Sequence, residues 1–249
     1  GIKELTDYVN KKNKDVDGEI KNLKKTIEEL KSADAVDQEA LSKAETALKE
    51  AESKIFTPII GCEMYVADND MTDRSNKKDI GRHLIVLAKN QHGYHNLIKL
   101  VSNAWTDGYY YHPRTDKKQL EKYHEDLIVC SACLGGEVPK LITAGHIEEA
   151  EKSILWFKKV FGEDYYLELQ RHKATVARAN QEAYPLQQEV NKVLIEMSKK
   201  HNIKLVCTND VHFVNEEDAE AHDRLICVST GTFLDDDKRM LYTKQEWMK

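Results

Sequence analysis

Asp210 and His212 stand two residues apart in Thr208-Asn209-Asp210-Val211-His212-Phe213, directly after the apolar run Ile203-Lys204-Leu205-Val206-Cys207. The run reads as a buried strand. On an extended backbone, residues two apart leave the same face, so a carboxylate and an imidazole would emerge side by side at the strand's C-terminal end. Such a donor pair can hold a divalent metal ion, and strand ends of this kind carry the chemistry of α/β barrels. An Asp–His pair that merely closes a strand by a hydrogen bond has the same spacing, and short motifs often match by chance.

Three more candidate ligands fall on or beside other strand-like runs. Glu63 lies inside Ile59-Ile60-Gly61-Cys62-Glu63-Met64-Tyr65-Val66, and a carboxylate in an apolar strand must be paired or metal-bound to tolerate burial. His83 opens His83-Leu84-Ile85-Val86-Leu87-Ala88, and Cys133 follows Leu127-Ile128-Val129-Cys130-Ser131. A salt bridge for Glu63 and a hydrogen-bonded rim position for His83 remain the plain alternatives. Cys130-Ser131-Ala132-Cys133 has C-x-x-C spacing, but no second pair of zinc ligands accompanies it. Cys133 therefore reads as a lone thiolate ligand with Cys130 buried. Two residues are candidates for substrate contact. His172 follows the strand-like Tyr165-Tyr166-Leu167-Glu168-Leu169, where it would line a pocket mouth. Arg114 sits in the aromatic and basic cluster Tyr109-Tyr110-Tyr111-His112-Pro113-Arg114. That cluster either stacks a base and contacts phosphate or is an ordinary packed loop.

The elements that must position these groups alternate between strand and helix from Pro58 onward. Helices are expected over 93–105, 117–123, 138–144, 147–161, 178–201 and 217–229. A polar, turn-rich loop is expected from Asp68 to Asp79. Strands alternating with helices argue for parallel strands joined by βα units. Residues 1–56 differ: they lack proline and are rich in Lys, Glu and Ala. Ile20, Leu23, Ile27 and Leu30 form one helical stripe, and Leu41, Ala44, Leu48, Ala51 and Ile55 form another. Asp37 is the expected N-cap of the second helix. Together they predict an antiparallel two-helix hairpin inserted beside a main domain, a placement that costs little loop-closure entropy.

The 249 residues are 41% hydrophobic and 32% charged, with a net charge of −6. Such a charge argues against duplex DNA binding through the chain's own surface. Five cysteines without a disulfide framework suit a reducing cytoplasm. No run of membrane-spanning length and no signal-peptide pattern is present, so a membrane partner is not expected.

Five motifs occur in order: Pro58-Ile59-Ile60-Gly61-Cys62-Glu63, His83 to Ala88, Ser131-Ala132-Cys133-Leu134-Gly135-Gly136-Glu137, Tyr166-Leu167-Glu168-Leu169-Gln170, and Thr208-Asn209-Asp210-Val211-His212. Ala219-Glu220-Ala221-His222-Asp223 and Thr230-Gly231-Thr232-Phe233-Leu234-Asp235-Asp236 follow. From about Phe56 to Lys249 the chain resembles the PHP (polymerase and histidinol phosphatase) domain of bacterial DNA polymerase III alpha subunits. The resemblance implies an α/β fold, a partial PHP-type (β/α)7 barrel over 57–249 carrying the 1–56 helical segment as an insertion. It implies up to three divalent ions (Zn, Mn or Mg) on Glu63, His83, Cys133, Asp210 and His212, and a phosphoesterase or 3′–5′ exonuclease site. The implied parent is a cytoplasmic DNA-directed DNA polymerase that meets DNA through its other domains and binds other replicase subunits, a proofreading exonuclease among them. A stand-alone metal-dependent phosphoesterase and a non-catalytic scaffold are the competing expectations. The family's His-x-His strand and Asp-His-Gly motif do not occur here. On the resemblance, the chain is expected to be N-terminally truncated, with an incomplete metal site and little activity of its own.

Overall fold

A computed structural model describes residues 2–33, 36–173, 183–215, 217–236 and 239. The chain divides into two compact units, Gly1–Ile59 and Ile60–Lys249.

The first unit is a pair of helices, α1 (Ile2–Ser32) and α2 (Gln38–Ser53). α1 starts well before the Ile20 stripe, because the Lys-rich segment ahead of it contains no proline and the single Gly18 is not enough to end the helix. Asp37 caps α2 as the sequence predicts, accepting the amides of Glu39 and Ala40 at 3.1 Å each. Ile20, Ile27 and Ala51 are buried in the seam. Lys24–Glu52 at 3.3 Å and Lys31–Glu45 at 2.9 Å pair in antiparallel order along it. These exposed ion pairs add little stability. A firmer tie is Asn13, buried in α1, whose side-chain amide bonds both the carbonyl (3.0 Å) and the amide (2.8 Å) of Phe56.

The second unit is a mixed α/β fold. Its strands are β1 (Gly61–Val66), β2 (Arg82–Ala88), β3 (Tyr109–Tyr110), β4 (His112–Thr115), β5 (Leu127–Cys130), β6 (Tyr165–Gln170) and β7 (Lys204–Thr208). They form one sheet in the order β3-β4-β1-β2-β5-β6-β7. β1 pairs parallel with β4, and β5, β6 and β7 pair parallel in turn. β2 runs antiparallel to both its neighbours, and β3 is antiparallel to β4. The sheet is thus mostly parallel in direction, with β2 and β3 reversed.

The reversal of β2 departs from the expected run of parallel βα units. No helix lies between β1 and β2, and without a crossover the chain can only return antiparallel. β3 and β4 were also unforeseen, since the cluster around Pro113 shows no strand-like pattern. β7 is half-exposed rather than buried, as suits the last strand of the order.

Helices α3 (Gln91–Thr106), α4 (Lys117–Lys122), α5 (Glu137–Thr143), α6 (Ile147–Phe161) and α7 (Ala183–His201) follow the strands, and α8 (Asp218–Thr230) comes after β7. The start of the helix expected from 178 lies outside the described residues. Met64, Val66, Leu84, Val86, Val129 and Leu167 alternate along their strands and share one core with Leu100, Ile142, Ile154, Phe157 and Leu194 from the helices. Burying each such side chain stabilises the unit by about 1.5–3 kcal/mol at most. The alternate positions Glu63, Tyr65, His83, Glu168 and Gln170 therefore occupy the other, polar face of the sheet.

Candidate metal centre

Register brings Glu63 and His83 together. Glu63 lies opposite Ile85 on β2, and His83, two residues before Ile85, is its diagonal neighbour on the same face. Glu63 Oε1 lies 2.7 Å from His83 Nδ1, and Cys133 Sγ lies 3.3 Å from that same nitrogen. The donor atoms of all three residues lie within 4.8 Å of one another. A single ring nitrogen thus faces a carboxylate and a sulfur, a position that a proton or a metal ion can occupy.

Cys133 arrives from the turn after β5. The His83 amide donates to the Gly135 carbonyl at 3.1 Å, and the Gly135 amide donates to Cys133 Sγ at 3.4 Å. Residue 135 must be glycine for this approach, because a Cβ there would lie 2.8 Å from His83 Nδ1. His83 is the first residue but one of its strand, yet it meets the C-terminal end of β5 because β2 is reversed.

Two sequence expectations need correction. Glu63 is paired but not buried: its side chain is 43% exposed, so burial is not what calls for the partner. The Asp210–His212 segment is not extended. β7 ends at Thr208, Asp210 takes the left-handed φ of 47°, and His212 Nδ1 donates to the Asp210 carbonyl at 2.7 Å. Among the described residues the compact donor set contains Glu63, His83 and Cys133, and not Asp210 or His212. His212 is nonetheless close enough for its charge to help lower the Glu63 pKa.

The electrostatics follow the geometry. Hydrogen bonds to Cys133 and then Glu63 raise the His83 pKa to about 10. The bond from His83 holds the Glu63 carboxyl below its ordinary value, outweighing the partial desolvation of this half-exposed group. Burial, with the charge of Glu168 adding to it, pushes the Cys130 thiol up to about 12. Cys130 is therefore a buried neutral thiol.

Neither candidate for substrate contact presents itself to a ligand. Arg114 is fully buried, and its guanidinium donates to the carbonyls of Asp79 (2.8 Å), Met71 (3.0 Å) and Asp73 (2.8 Å). It staples the loop between β1 and β2. His172 is also buried, donating from Nε2 to the Asn209 carbonyl (2.7 Å) and accepting at Nδ1 from Gln187 (3.0 Å). It stands beside the Asp210 turn.

The sequence reading passed over Glu168 as a group with its own role. It is 5% exposed and sits in β6 between the Cys133 and Asp210 turns. The signal was present, since a carboxylate between two leucines in a strand invites the question asked of Glu63.

Oxygen, nitrogen and sulfur donors are of the types that borderline-soft divalent ions accept, while the 2.7 Å between Glu63 and His83 is a hydrogen-bond distance. Residues 9–172 match the PHP domain. The chain is 46% identical over 204 residues to the DNA polymerase III subunit alpha of Borreliella burgdorferi, a match covering 80% of this chain and 17% of that protein. It is 35% identical over 231 residues to the subunit of the same name from Thermus aquaticus, covering 92% of this chain and 18% of that protein. For Treponema pallidum the figures are 40% over 193 residues, with 76% and 16% covered. The chain thus spans less than a fifth of each of these relatives.

Proposed function

Because this chain belongs to the PHP domain family, we propose that it is the PHP domain of a bacterial DNA polymerase III alpha subunit and binds a divalent metal through Glu63, His83 and Cys133. The observation that carries this reading is the convergence of those three donors from two adjacent strands and a third strand's exit. In this reading the sheet belongs to a (β/α)7-type barrel whose polar face is the lumen, and Asp210 and His212 add ligands from its rim.

When bound, a divalent cation supplies Lewis-acid activation of a phosphate ester, the chemistry of 3′–5′ exonucleolytic cleavage. The chain's own residues prepare for it. Glu63 and Cys133 hold His83 Nδ1 toward the ion position, and Gly135 leaves room for the ring. With a net charge of −6, DNA would be delivered by other parts of the polymerase, in the cytoplasm and in company with other replicase subunits.

The direct Glu63–His83 bond of 2.7 Å favours a second reading. A proton can satisfy the same three groups, leaving a metal-free scaffold that supports the polymerase or a proofreading subunit. Metal analysis after exposure to zinc, manganese or magnesium separates the two. Bound metal in the wild type that is lost in His83→Ala and Cys133→Ser supports the first reading. No uptake at saturating metal sinks it.

A further inference from the structure

Glu168 reaches toward two turns at once. Its Oε2 accepts the Ala132 amide at 3.0 Å, one residue before Cys133. Its Oε1 accepts the Gln170 side-chain amide at 3.1 Å and the Thr208 hydroxyl, two residues before Asp210. Its own amide donates to Ser131 Oγ at 2.8 Å. Three donors occupy the two oxygens in a buried setting, so this carboxylate is a poor candidate for a metal ligand. Ala132 has a left-handed φ of 64°, a conformation unfavourable for a residue with a Cβ, and its amide is the one that Glu168 holds. Burial raises the Glu168 pKa, and the three donors work against that rise.

We propose that Glu168 is the positioning residue of the candidate metal centre, its buried carboxylate tying the Ala132–Cys133 turn to the Thr208–Asp210 turn. One group then sets where the thiol stands and where the Asp210–His212 segment begins. The inference rests on the reading of Glu63, His83 and Cys133 as metal ligands. Groups that orient metal ligands from behind commonly change affinity by about 10–100-fold when removed.

Cobalt(II) titration of the whole chain tests this, because a thiolate-to-cobalt charge-transfer band reports Cys133 directly and needs no activity. The wild type should show the band, and His83→Ala should lose most of it. Glu168→Gln keeps an acceptor for the Ala132 amide but sets an NH2 against the Gln170 amide or the Thr208 side. It should weaken cobalt binding by about tenfold or more and diminish the band. Adding Ala132→Gly to Glu168→Gln should recover part of that loss, since glycine adopts a φ near +64° without being held there. A side chain that served packing alone would not respond to a glycine at 132.

A wild-type band with unchanged affinity in Glu168→Gln overturns the positioning role and leaves the metal reading intact. Absence of a thiolate band in the wild type, or a His83→Ala variant that binds as well, overturns the metal reading and this inference with it. Should Glu168→Gln fail to fold, Thr208→Val removes only the hydroxyl at the other end of the tie. A shifted band or weakened binding there supports the proposal, and an unchanged titration overturns it.

Discussion

Asn13 and Phe56 are joined by two hydrogen bonds across 43 residues of chain. The side-chain amide of Asn13 mimics a strand partner for the backbone of Phe56, fixing where the chain leaves the helical pair. Tyr8 adds an edge-on ring contact to Phe56 at 5.8 Å.

Replacing Asn13 with alanine removes both bonds and leaves the Phe56 amide and carbonyl without them. The expected loss is about 1–3 kcal/mol of local stability. Native-state hydrogen exchange at the Phe56 amide checks it. Faster exchange there, with the second unit unaffected, is the expected result, and unchanged exchange would show that the latch does not hold the segment.

Arg114 predicts a larger effect. Methionine at this position fills much of the volume but leaves the carbonyls of Met71, Asp73 and Asp79 without their donor, beside the Asp79 carboxylate at 3.4 Å. Breaking such a buried set costs about 3–5 kcal/mol. Denaturant unfolding should show a clearly lower midpoint. Lysine should rescue only part of it, because a point charge cannot reach several carbonyls in a fixed fork.

At Gly135 the prediction concerns geometry. Gly135→Ala places a methyl 2.8 Å from His83 Nδ1, so the ring must move off its two partners. Metal affinity should fall by about tenfold or more, with only a modest change in the melting temperature. Calorimetric titration with zinc measures the first. Equal affinity in the variant would mean that His83 binds from another position.

The pH dependence should change sign with metal. In the metal-free chain, the His83 pKa stands near 10 against an ordinary 6.5. The stability from its two bonds is complete below pH 6.5 and fades as the pH rises toward about 10. Glu63, lowered from 4.5, contributes above 4.5 and loses its contribution as the pH falls through its folded value. Unfolding at about pH 6 and about pH 9.5 should therefore show a decline with pH that His83→Ala flattens. Metal must displace the His83 proton, so metal affinity should instead rise with pH, by up to about tenfold per unit below pH 10. An affinity that is flat across this range would remove His83 from the ligand set.

Apolar runs made β1, β2, β5, β6 and β7 legible, because each carries strand-type residues bounded by turns. The direction of β2 was also legible in principle, since the polar stretch from Asp68 to Asp79 contains no crossover helix. β3 and β4 were not: β3 is only Tyr109–Tyr110, and β4 runs through Pro113 and pairs with β1 far away in the sequence. At the candidate site, order and residue type were enough to bring Glu63, His83 and Cys133 to notice. The burial argument was applied to the wrong glutamate. Alternation alone cannot tell Glu63, open to solvent on its face of the sheet, from Glu168, which the Cys133 and Asp210 turns enclose. Asp210 escaped a correct description because a left-handed turn after β7 leaves no mark in a D-x-H spacing.

The reversed strand has one more consequence. Adjacent antiparallel strands set the spacing of Glu63 and His83 through ladder hydrogen bonds from Gly61↔Leu87 to Val66↔Arg82. The connection between them, residues 67–81, plays no part in that spacing. Away from Met71, Asp73 and Asp79, whose carbonyls Arg114 holds, its sequence can be changed while the two donors keep their separation. In a βα crossover, the linking segment would instead help set where the second strand lies. Here the strands set the donor geometry, so new contacts can be grafted at loop positions that Arg114 does not hold without retuning the centre.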